Sequence, residues 1–257
     1  MHIAILAAAF SAHMKCITTL EELYAALEQM CRDLGFRYFA LNQHIDFGVG
    51  TVKGIRLHNY PSGYEEWVDH KRLGVSDPVH RASHRVLEWF AWSQVPNMIA
   101  MTRKDEAVFR HARREGIGEG ITVPANLPGE ARGSCSFATA RGVPLPTDVI
   151  PFIQGIGVSA FQCALRLSPP RFGGNARVKM TDRQRDCLMW WSRGNSDKEV
   201  AQILGISRAT VIDHLHAVQK RLGGLHRRLL MMQAVYDGAL CFDDILPIWQ
   251  NSPHLWG

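Results

Sequence analysis

A chain of 257 residues with 46% hydrophobic content is long enough for one large or two ordinary domains with filled cores. Its net charge is only +5, no apolar run approaches the roughly 18 residues that cross a bilayer, and the six cysteines are scattered with no close pair. These features speak against a membrane span, a disulfide framework and a structural zinc site, and they suit a reduced, cytoplasmic protein.

The apolar opening Met1 to Phe10 has no basic stretch before it, so it reads as a first helix and not as a signal peptide. Thr18-Thr-Leu-Glu21 has capping-box spacing, and Leu23, Leu27, Met30 and Leu34 recur at helical intervals until Gly35. Phe36 to Asn42 alternates like a strand, with Thr51 to Leu57 as its expected partner. A polar, aromatic-rich stretch without clear period covers Asn59 to Gln94. Thr102 caps an expected helix over Arg103 to Glu115, ended by Gly116. Gly120 to Ala125 and Gly133 to Thr139 read as strands joined by a hairpin containing Pro and Gly. Leu145 to Leu167 reads as a long helix starting after Pro146 and Thr147. Strands clustered between helices predict an antiparallel sheet with helices on its faces.

Leu167-Ser-Pro-Pro-Arg-Phe-Gly-Gly-Asn175 can neither continue a helix nor build a core, and it reads as a linker. Beyond it, Asn175 to Met232 holds eleven Lys and Arg against five Asp and Glu, a local +6 that exceeds the charge of the whole chain. That asymmetry favours a polyanionic partner. Ser196 caps a short helix, Asp197 to Leu204, with Val200, Ile203 and Leu204 as its buried stripe. Ala201 leaves room for a crossing helix, and Gly205 supplies a left-handed turn. Ser207 caps the next helix, whose core positions are Val211, Leu215, Val218 and Leu222. This leaves Arg208, Ala209, Ile212, Asp213 and His216 on an exposed face near a helix N-terminus, which is what enters a major groove.

Thr181-Asp-Arg-Gln-Arg-Asp-Cys-Leu188, Trp190, Gly194, Glu199 to Leu215 and Lys220-Arg-Leu-Gly223 closely resemble the LuxR/NarL class of helix-turn-helix domains. Gln184 departs from the usual glutamate, a change the domain should tolerate. The resemblance implies base contacts by Ile212 and His216 and phosphate or base contacts by Arg208 and Lys220. Thr210 and Asp213 complete the candidate DNA-binding set. Ile212 cannot hydrogen-bond a base edge but can pack on a thymine methyl.

No aspartate cluster follows Ile3 to Ala9, which speaks against a phosphorylated receiver domain. Instead, Asn59-Tyr-Pro-Ser-Gly-Tyr64, Ser76-Asp-Pro-Val79, Trp89-Phe-Ala-Trp-Ser93 and Gly120-Ile-Thr-Val-Pro124 resemble, in order and spacing, the autoinducer-binding domain of LuxR-type quorum-sensing receptors. The resemblance implies an α+β protein. Its N-terminal α/β/α sandwich with an antiparallel sheet would be a sensing domain (1–167). A linker (168–179), an all-α four-helix helix-turn-helix domain (180–240) and a tail (241–257) would follow. The implied ligand is an acyl-homoserine lactone or a similar small signal, with no cofactor. Asp77, beside Pro78, would accept its amide N–H. Tyr60 and Ser136 would donate to its amide carbonyl, Trp92 would wall the head group, and Thr122 would add a hydroxyl.

Two positions depart from the pattern. Tyr64 stands where a tryptophan usually meets the lactone carbonyl, and Val68 where a tyrosine is usual. Both point to altered specificity, and Trp67 is a candidate for the missing indole. Gly116-Ile-Gly-Glu-Gly120 runs in the wrong order for a phosphate loop, and Ser134-Cys135-Ser136 lacks the glycines of a hydrolase elbow. None of the twelve histidines stands in a metal-like cluster in the sequence, and no enzyme is implied. The expected partners are double-stranded DNA, the signal and a second copy of the chain, with no membrane. Three alternatives stay open: an orphan receptor that needs no ligand, one that senses a non-lactone, and an antagonist that heterodimerises with another regulator. In the tail, Leu246, Trp249 and Trp256 suggest docking onto the body or a partner, or a loose terminus.

Overall fold

The computed structural model describes residues 2–45, 54–73, 76–126, 132–168, 180–221 and 224–246. They form two compact units, one up to residue 168 and one from residue 180 onward. The expected linker from 169, the first part of the expected strand at 51–53, the hairpin at 127–131, Leu222, Gly223, Trp249 and Trp256 lie outside the described residues.

In the first unit a five-stranded antiparallel sheet runs in the order β2 (Arg56–His58), β1 (Tyr38–Gln43), β5 (Gly133–Ala140), β4 (Ile117–Ala125) and β3 (Phe90–Ala91). Successive side chains of a strand point to opposite faces, so the register sorts the sheet into two surfaces. Phe39, Leu41, Cys135, Phe137, Ile121 and Val123 face a large apolar core. Three helices close it: α1 (His2–His13), α2 (Leu20–Asp33) and α7 (Ile150–Leu167). Opposite lie α3 (Ser62–His70), α4 (Pro78–Ser83), α5 (Val95–Met98) and α6 (Arg103–Arg114), which completes an α/β/α sandwich.

Several elements differ from expectation in position. The cap of α2 is Thr19, one residue later, whose hydroxyl accepts from the Glu22 amide at 3.2 Å. Glu22 reaches back to the amide and hydroxyl of Thr18 at 2.8 and 3.1 Å. This register puts a carboxylate at the positive end of the helix while Leu23 and Leu27 turn inward. The α7 helix starts at Ile150, with Pro151 in its first turn. With 18 residues and a mean hydropathy of 1.2 it is long and apolar enough to cross a membrane, contrary to the sequence expectation. Here Ile153, Ile156, Ala160, Phe161 and Ala164 are buried against the sheet instead. The stretch 59–94 holds α3, α4, β3 and a 3₁₀ turn (Trp92–Gln94), elements too short to show a period in sequence.

The second unit comprises α8 (Asp182–Ser192), α9 (Asp197–Leu204), α10 (Arg208–Arg221), α11 (Arg227–Tyr236) and a short α12 (Phe242–Ile245). Cys187, Leu188, Val200, Val211, Leu215, Val218 and Leu230 form its core. Gly205 sits at φ +66°, the left-handed turn that lets α10 cross α9. Ile203 is 46% exposed and not part of the stripe, because Val200, Ala201 and Leu204 already fill the inward arc of this two-turn helix.

Candidate functional site

A cavity of about 430 Å³ lies between the inner face of the sheet and helices α3, α4 and α6. Its floor follows from the strand register. Tyr38, Ala138 and Gly120 form one row across the sheet, and Ala40, Ser136 and Thr122 the next. Asn42 and Ser134 form a third row. Small floor residues leave the space open. At Gly120 even a Cβ would come within 2.5 Å of the Trp92 indole, so the glycine lets that ring lie flat on β4.

Tyr60, Tyr64, Val68, Asp77, Trp92 and Ser136 all line this one cavity. Thr122 and Pro78 stand behind the wall. Thr122 is fully buried and accepts the Trp92 indole N–H at 2.9 Å, and its hydroxyl shares a 2.8 Å hydrogen bond with Ser136. It thus fixes the ring and one wall hydroxyl. Pro78 is the first residue of α4, whose cap is Asp77. Asp77 Oδ1 accepts from the amides of Val79 at 2.8 Å and His80 at 3.3 Å. Its Oδ2 receives no hydrogen bond from the described residues. Burial, and then the Asp77 carboxylate, push the Tyr60 and Tyr64 phenols above the usual range. Both therefore stay protonated donors. Trp67 does not line the cavity; its ring stacks on His111 at 4.2 Å.

Sequence reasoning missed other wall residues. Val108, Phe109 and Ala112 of α6 supply apolar surface. Arg56 pairs with Asp69 at 2.8 Å and Glu65 at 3.5 Å, and His58 with Glu65 at 3.2 Å, tying β2 to α3 beside the cavity. His80 also lines it and stacks on His44 at 3.9 Å. His44 Nδ1 lies 2.9 Å from His84 Nε2, and its Nε2 lies 2.9 Å from the Ser134 hydroxyl. The sequence does show His80 and His84 one helical turn apart, but nothing in it places His44 against them.

In the second unit Ser196 and Glu199 form a reciprocal capping box, with the carboxylate 2.7 Å from the Ser196 amide. Ser207 caps α10 through the Thr210 amide at 3.1 Å, and the Thr210 hydroxyl lies 2.8 Å from that of Ser207. Arg208, Asp213, His216 and Lys220 are exposed, and Thr210 and Ile212 half-buried, along one side of α10. Not all the basic residues counted above are free for a partner. Arg185 donates to the Ala239 carbonyl at 3.1 Å and pairs with Asp244 at 2.8 Å. Arg193 donates to the Asp244 carbonyl at 2.7 Å and lies over the Trp190 ring. These bonds hold α12 onto α8, and Ile245 is buried beneath. Gln184 accepts from the Thr181 amide and from Arg221, both at 3.1 Å.

Residues 19–164 match the model of the autoinducer binding domain, and residues 178–234 that of the bacterial regulatory proteins of the luxR family. The chain belongs to the LuxR family of transcriptional regulators. Among curated relatives, this LuxR-family protein is 22% identical to the transcriptional activator protein AhyR of Aeromonas hydrophila over 89% of both chains. It is 23% identical to the regulatory protein SdiA of Escherichia coli over 86% of this chain and 91% of SdiA. These relatives are regulators and not enzymes. The structure of SdiA in complex with octanoyl-rac-glycerol shares the fold of this LuxR-family chain. Its TM-score is 0.69 at 21% identity, over 94% of this chain and 98% of that one.

Proposed function

We propose that this regulator senses an acyl-homoserine lactone or a related amide-bearing signal in its cavity and binds a pseudo-palindromic DNA site as a dimer in the cytoplasm. The observation that carries the ligand half is the polar set at one end of the cavity. Asp77 Oδ2 is an acceptor without a partner among the described residues, and it shares the lining with two protonated phenols and the Ser136 hydroxyl. An acyl amide offers one N–H and one carbonyl, which these groups match, and its chain suits the apolar remainder. The exposed side of α10 supports the DNA half. Leu229 and Met232 on α11, 48% and 63% exposed, support a second copy packing there.

A non-lactone ligand is the second reading. Tyr64 and Val68 alter the wall where a lactone ring would sit, and SdiA is seen with a monoacylglycerol. Purified full-length protein titrated calorimetrically with N-octanoyl-homoserine lactone and with octanoylglycerol separates the two. Saturable binding of the lactone, accompanied by tighter binding to a palindromic duplex in fluorescence anisotropy, is expected. Binding of octanoylglycerol alone would replace the lactone reading with the second. Specific DNA binding by monomers, or none under any condition, would overturn the DNA half.

A further inference from the structure

The cavity has a second polar end that an alkyl tail would not use. Along β1 and β5 the floor changes from Ala40 and Ser136 to Asn42 and Ser134, and His44 follows on the same face of β1. From the Gly120 row under Trp92 to the Asn42 row is four residues of strand, about 13 Å. Asn42 lines the cavity with its Oδ1 buried and without a hydrogen-bond partner among the described residues. His80 lines the cavity too, and its ring is held by the stack on His44. His44 in turn is clamped on both nitrogens, by His84 and Ser134. Burial first, then the facing His80, His84 and Arg132, holds His44 neutral. The end away from Trp92 therefore presents fixed hydrogen-bonding groups, with Arg56 of β2 beside Asn42 in the same row, and is not a greasy tunnel.

Resting on the reading of the cavity as an acyl-amide site, we propose that the signal carries a hydrogen-bonding group, such as a hydroxyl, at the far end of its acyl chain. Asn42 and His80 are then the specificity-determining residues that receive it. A terminal methyl placed there would leave the buried Asn42 Oδ1 without a partner, whereas a hydroxyl donates to it. Sites built to hydrogen-bond a group discriminate strongly against analogues that lack it.

The test is a set of matched probes: N-acyl-homoserine lactones of six, eight and ten carbons, each with a methyl or an ω-hydroxyl end, titrated into the full-length protein. The inference expects the hydroxylated member of at least one pair to bind ten times more tightly or better. That ratio should fall to one or invert in Asn42→Leu, with His80→Leu showing the same trend. Melting curves establish that each variant is folded, and the wild-type ratio decides the matter if one is not. Methyl-ended lactones that bind as well as their hydroxylated partners at every length would overturn this inference and leave the lactone reading standing. Failure of every lactone to bind would overturn both.

Discussion

Of the two carboxylate oxygens of Asp77, one caps α4 through the amides of Val79 and His80, and the other carries the proposed ligand contact. The two roles separate by substitution. Asparagine caps a helix about as well as aspartate, so Asp77→Asn should melt within a degree or two of wild type. It should still bind N-octanoyl-homoserine lactone about 10- to 100-fold more weakly, the cost of about 1.5–3 kcal/mol for losing a hydrogen bond to a charged acceptor. Asp77→Ala should in addition lose about 1 kcal/mol of stability with the cap. Unchanged affinity in Asp77→Asn, measured calorimetrically, would reduce Asp77 to a cap. The buried histidines act at the same scale through protons. Burial depresses His44, and burial, with Arg132 and His80 nearby, brings His84 down to about 4. Below the unfolded value of about 6.5 the unfolded chain takes up protons that the folded one refuses. Stability should therefore be flat above neutrality and fall as the pH drops from about 6.5 towards 4. Urea midpoints at pH 5.2 and 7.2 check this, and His84→Gln should flatten the difference. Equal midpoints in the wild type would show that the cluster is not buried as described.

Elements long enough to repeat were legible in the chain itself. The α2, α6 and α10 helices and strands β4 and β5 stand close to where periodicity and caps placed them, because burial along one face imposes a period on the residues. The cavity walls were not legible in that way. The α3 and α4 helices have nine and six residues, and their positions depend on packing against the sheet. Resemblance supplied Tyr60, Asp77, Trp92 and Ser136, but Asn42, His44 and His80 meet only through strand register, which the sequence does not reveal. Gln184 shows how much one element gains from a single atom. Its Oε1 accepts both from the amide of Thr181, the cap of α8, and from Arg221 of α10. Gln184→Glu keeps both contacts and turns the second, already donated by a cation, into an ion pair. Because the position is 6% exposed, the expected gain is about 1 kcal/mol in denaturant unfolding of the helical unit. Destabilisation would mean that burying the carboxylate costs more than the guanidinium returns.

At the scale of the whole chain, a ligand that binds only the folded sensor stabilises it by mass action, about 2.7 kcal/mol at a hundred times its dissociation constant. On the proposed reading, a signal bound in the cavity would raise the folded fraction of the sensing unit in this way. What the second unit then offers DNA is less basic than its composition suggests. Arg185 and Arg193 are committed to α12, whereas Arg208 and Lys220 stand exposed along α10. Salt dependence distinguishes the two groups, since each phosphate contact adds about 0.9 to the slope of log affinity against log salt. In anisotropy titrations across a range of salt, Lys220→Ala should lower the slope by about one per protomer, and so by about two for a dimer on its site. Its melting temperature should hardly move. Arg185→Ala should do the reverse, leaving the slope unchanged while lowering the melting temperature through the loss of α12. A slope that falls equally in both variants would place Arg185 on the DNA and make the clasp of α12 incidental. A slope that falls in neither would move the phosphate contacts off this side of α10 altogether.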